Sequence, residues 1–139
     1  MATNLQRMAR GLTALAGAAA FSGAQVWAFI AQPGPGAYYD EPRGWFLNSG
    51  TSVAMIAGAI AIAAALAAIA RGDSPWINAG AIAVGGCFAM LVVLATIGMG
   101  NLFPIVLIMG GTIVCGAAVC GSLVGYGARQ LAGLTDAND

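Results

Sequence analysis

The chain is 139 residues long, 60% hydrophobic and only 7% charged, with five basic residues balancing five acidic ones. A soluble domain carries about 25% charged residues, so this composition excludes one, and zero net charge leaves no electrostatic footprint for nucleic acid. Histidine is absent, which removes the commonest metal ligand and any bis-histidine haem.

All the charged side chains fall outside four long apolar runs. Each run reaches the ~20 residues that a helix needs to cross a ~30 Å hydrocarbon layer. The expectation is an all-α membrane protein with four transmembrane helices in a compact antiparallel bundle. The spans and their connections use nearly every residue, so residues 1–139 form a single transmembrane domain with no room for a catalytic one.

Arg7 and Arg10 precede the first run, Gly11–Ala31. Leu12–Phe21 followed by Ser22-Gly23-Ala24 has the three-part pattern of a secretory signal peptide. The apolar run nevertheless continues through Val26, Trp27, Phe29 and Ile30 to full spanning length, so an uncleaved first span is expected. Small residues at four-residue spacing mark helix contact faces in lipid, where burying leucine gains little. Here they are Ala16, Ala20, Ala24 and Ala28. Gln25 carries an amide that needs a partner at membrane depth, on another helix or subunit.

The outer loop, Gln32–Asn48, concentrates the polar chemistry of the chain. Tyr38, Tyr39, Asp40, Glu41, Arg43 and Trp45 lie close together there. Tyrosine, tryptophan and arginine are the types enriched where interfaces gain their energy. Tyr38, Tyr39, Arg43 and Trp45 are therefore the expected partner-binding residues. The bland alternative is an aromatic-anchored surface loop with a local carboxylate–arginine pair.

The second run, Ser49–Ala70, offers Ala57, Ala61 and Ala65 with Gly58 beside them. Arg71 and Asp73 then interrupt the apolar pattern. The third run, Trp76–Met99, begins with an interfacial aromatic and carries Ala81, Gly85 and Ala89. Gly98, Gly100 and Asn101 supply turn chemistry before Pro104, so the third and fourth runs read as a tight hairpin. The fourth run, Leu102–Ala128, carries Ala117, Gly121 and Gly125. Gly85, Gly121, Gly125 and Gln25 are the expected helix-packing residues. The paired glycines at 85–86 and 110–111 mark either close helix contact or a broken helix lining a path.

Topology follows arginine bias. Arg7, Arg10, Arg71 and Arg129 fall on one side of four spans and Arg43 alone on the other, which argues for two cytoplasmic termini. Arginine without lysine, among many alanines, points to a GC-rich bacterial genome, and so to the inner membrane.

The chemistry that is absent narrows the function. No ionisable residue lies inside a run, so no embedded proton or ion site is expected. Cys87, Cys115 and Cys120 form no C-x-x-C, and Cys115 and Cys120 sit about 140° apart around one helix. They read as packing residues. The mid-span hydroxyls of Thr13, Ser22, Ser52, Thr96, Thr112 and Ser122 can bond to their own helix backbone. The expectation is a non-enzymatic chain without cofactor, acting as a small accessory subunit among larger membrane subunits. The alternative is a small membrane subunit of a multi-component solute transporter, or a homo-oligomeric pore. The stretch Pro33-Gly34-Pro35-Gly36 is loosely similar to the linker of such transporter subunits.

Overall fold

A computed structural model of the chain describes residues 2–30, 50–97 and 103–133. They form four helices: α1 (Ala2–Ile30), α2 (Gly50–Arg71), α3 (Pro75–Ile97) and α4 (Phe103–Leu131). The expected partner-binding residues Tyr38, Tyr39, Arg43 and Trp45, and the turn at 98–102, lie outside the described residues.

The helix boundaries follow local chemistry. α2 ends at Gly72, whose φ of 64° is left-handed and whose N–H donates to the Ala68 carbonyl at 3.2 Å. Three residues later Pro75 opens α3, where a missing N–H costs nothing because the first-turn donors lack intrahelical partners. The Ser74 carbonyl accepts the N–H groups of Ile77 and Asn78 at 3.0 and 3.2 Å, which starts the α3 ladder. Both helices with paired glycines run unbroken through them.

Three helices, over Val53–Arg71, Pro75–Thr96 and Phe103–Leu131, are long and apolar enough to cross a membrane. α1 is not among them. Its length suffices, but Arg7, Arg10, Gln25 and several glycines lower its hydropathy below that of the others. The expectation of four spans is met by three.

Arg71, at the end of α2, touches α1 at Ala9 and Thr13. Arg129, near the end of α4, touches α2 at Ile69. One end of the bundle therefore gathers the starts of α1 and α3 and the ends of α2 and α4. Helices adjacent in sequence run antiparallel, yet the two tightest pairs, α1 with α3 and α2 with α4, are parallel. α1 and α4 lie diagonally apart without contact among the described residues.

The core is filled by Phe21, Ile56, Ile60, Ile82, Met90, Leu94 and Val114, all fully buried. Leu12, Leu15, Ile62, Leu66, Phe88, Ile108 and Val124 point outward and are mostly exposed. An exterior this apolar suits a hydrocarbon solvent.

Candidate functional site

Glycine sets how closely the helices approach. A Cβ at Gly121 or Gly125 would collide with the backbone carbonyl of Ala61 or Ala65 on α2. On the other parallel pair the collision is reciprocal: Gly17 against the Ile82 carbonyl, and Gly85 against the Ala14 carbonyl. At these crossings partner carbonyls face glycine Cα–H groups, a geometry that contributes about 0.5–1 kcal/mol per contact. The structure thus places Gly85, Gly121 and Gly125 at buried crossings. Gln25 is half-buried on α1.

The α1 face differs from its expectation. Ala16 is exposed and Ala20 half-buried, while Thr13, Gly17, Phe21 and Ala24 form the buried row. In an alanine-rich helix the four-residue spacing recurs on more than one face, so spacing alone selects none. Gly17 and the bulk of Phe21 settle it, and sequence reasoning passed over both.

The polar chemistry gathers at the arginine end. Arg71 Nη1 donates to the Ala9 carbonyl at 3.1 Å and to the Thr13 hydroxyl, and Nη2 donates to Asp73 Oδ2 at 2.6 Å. The Thr13 hydroxyl donates to the same Ala9 carbonyl at 2.9 Å. Arg129 Nη1 donates to the Ile69 carbonyl at 2.9 Å. That carbonyl belongs to the last turn of α2, which lacks intrahelical donors and carries the negative end of the helix dipole. The Arg129 guanidinium lies over Gly72, where any side chain would strike it. Gly72 is thus required twice, by its left-handed φ and by its ceiling. These two arginines fasten α1 to α2 and α2 to α4.

Asn78 and Ser122 are fully buried on α3 and α4. Asn78 Nδ2 reaches the Asp73 carbonyl only at 3.5 Å, a weak bond. Asn78 Oδ1 and Ser122 Oγ have no partner among the described residues. Two mid-span threonines bond to their own helix backbone: Thr96 donates to the Val93 carbonyl at 2.7 Å and Thr112 to that of Ile108 at 2.8 Å.

Cys87 on α3 and Cys115 on α4 are neighbours across the helix pair. The sequence could not pair them, because the pairing depends on the register between two helices. Cys115 and Cys120 are exposed. Among the described residues, no three His, Cys, Asp or Glu side chains come together to hold a metal.

Two shallow apolar grooves mark the outer surface. One runs along α4 past Gly111, Cys115, Gly116 and Cys120. The other follows α1 and α3 and carries Arg10 and Trp76 among its lining residues. No family model, curated protein or solved structure matches this chain.

Proposed function

We propose that the protein is a non-catalytic accessory subunit of a larger inner-membrane complex, with α1 crossing the bilayer as a fourth span and both termini cytoplasmic. The observation that carries this reading is the division of the glycines into two kinds. Gly17, Gly85, Gly121 and Gly125 are consumed by internal crossings, whereas a Cβ at Gly111 or Gly116 would meet open space. Those two line the shallow apolar groove on the outer face of α4, beside Cys115 and Cys120. Such a surface suits close approach by another transmembrane helix, since association in lipid depends on packing. The core, meanwhile, is filled largely by apolar side chains with no charged one among the described residues, which supports a packing role over an ion or proton path.

The fourth span is supported by how α1 sits. It runs parallel to α3 and buries Phe21 and Ala24 in the same core. Alignment with a span over that length supports a crossing α1. Tyr38, Tyr39, Arg43 and Trp45 are proposed as a second contact with the partner.

The test is extraction in mild detergent followed by identification of what co-purifies. Larger membrane subunits at fixed stoichiometry are expected, and Gly111→Leu with Gly116→Leu should release them while the bundle stays folded. A homo-oligomer or an isolated monomer would overturn the reading. So would a permease accompanied by a soluble binding protein, which would make this a transporter subunit.

A further inference from the structure

We propose that the groove between α1 and α3 is a binding site for one anionic phospholipid, with the headgroup phosphate at Arg10 and an acyl chain lying toward Val84. The inference stands apart from whatever the protein assembles with and needs only that the bundle be embedded in a bilayer.

The first support is the floor of the groove. Gly11, Ala14 and Gly80 line it. Packing does not demand glycine at 11 or 80, because a Cβ at either would meet nothing within 4 Å. This contrasts with Gly17 and Gly85 on the same two helices, where a Cβ would strike the neighbouring backbone. The two open glycines therefore keep a channel clear instead of allowing two helices to touch. From Trp76 to Val84 the channel follows α3 for about 12 Å at 1.5 Å per residue, room for a good part of an acyl chain.

The second support is charge. Of the four arginines described at this end of the bundle, Arg71 and Arg129 are committed to backbone carbonyls, and Arg71 also holds Asp73. Arg10 lines the groove and is exposed, with Arg7 one turn before it on α1 and also exposed. Neither engages a carboxylate among the described residues, and the described carboxylate nearby is already paired. The Arg10 guanidinium, without a carboxylate partner among the described residues and set in the lining of an apolar channel, complements a phosphate carried on a hydrocarbon tail.

The third support is depth. Trp76, exposed, lines the same groove as Arg10. Tryptophan favours the headgroup level, so the guanidinium lies where a phospholipid carries its phosphate. The α4 groove has no charged residue in its lining and lacks this combination.

The experiment is native mass spectrometry of the full chain, exchanged from detergent into mixed micelles of phosphatidylglycerol and phosphatidylcholine. One phosphatidylglycerol should be retained in preference to phosphatidylcholine. Arg10→Gln should reduce that preference by about fivefold, the effect of one basic residue near an anionic surface. Gly80→Leu, which fills the channel without touching the core, should abolish retention of either lipid. Melting temperatures of both variants should match the parent, which separates loss of the site from loss of the fold. Equal retention of the two lipids by the parent would overturn the proposal. Unchanged preference in Arg10→Gln would do so too, as would displacement of the lipid by millimolar inorganic phosphate, which would make the site a phosphate site. A protein segment held at this face in place of lipid would likewise sink it.

Discussion

Arg71 joins three groups that differ in how much they matter. Its side chain is 18% exposed and that of Asp73 is 41% exposed. An ion pair open to water on one side contributes only about 0–1 kcal/mol, because solvent screens it and two side chains must be held still. The bonds to Ala9 and Thr13 are shielded by packed helices and run from a charged donor, a class worth about 1.5–3 kcal/mol each. Arg71→Gln should therefore lower thermal stability in detergent clearly, whereas Asp73→Asn should change it little. Equal losses in the two variants would mean that the salt bridge, not the tie to α1, is what fastens this end. The same residue shows a limit of sequence reading. Arg71 was legible as a topology marker, but its partners on α1 were not, since they lie about sixty positions away and depend on helix rotation.

Between elements, the packing rests on a few backbone approaches. Gly121 and Gly125 on α4 meet Ala61 and Ala65 on α2, so the contact advances four residues on each helix together. This regular step identifies the pair as parallel. Leucine at either glycine would force the backbones apart and cost about 1–3 kcal/mol, by analogy with overpacked cores. Leucine at Gly116, which faces open space, should leave the bundle intact. Thermal unfolding of the three variants in one detergent checks this. If Gly121→Leu and Gly116→Leu melt alike, the α2–α4 crossing is not what holds the bundle. On α4 the small-residue row was legible, because its glycines stand out among bulkier neighbours. On α1 it was not, because alanine covers several faces and the buried row is chosen by Gly17 and Phe21. The Cys87–Cys115 contact was equally hidden, being a property of two helices in register.

At the scale of the whole molecule the arrangement has a polar end and an apolar body. Arg7, Arg10, Arg71 and Arg129 all sit at one end, where α1 and α3 start and α2 and α4 finish. Sequence periodicity and span length reveal the helices but not their neighbours. The ring order, with α1 diagonal to α4, arises from which glycine faces fit together. The membrane placement of α1 is the step with the largest consequence. If α1 lies on the surface instead of crossing, the N-terminus and the segment between α2 and α3 fall on opposite sides of the bilayer.

Cysteine scanning separates these cases. In a background with Cys87, Cys115 and Cys120 replaced, single cysteines would stand at Asn4, Asp40 and Ser74, with a membrane-impermeant maleimide added to intact cells. Asn4 and Ser74 are both exposed, so access is limited by the membrane and not by packing. Asp40 lies between α1 and α2, and α2 separates it from Ser74 whatever α1 does. The proposed orientation, which follows the bias of four arginines at one end, puts that end in the cytoplasm. Asp40→Cys should therefore react, and Ser74→Cys should react only after the cells are opened. Asn4→Cys carries the decision. Protected like Ser74→Cys, it establishes that α1 crosses beside α3 and that four helices span. Labelled from outside like Asp40→Cys, it leaves three spans and an α1 that does not cross, and the arginine cluster could no longer sit on one side of the membrane.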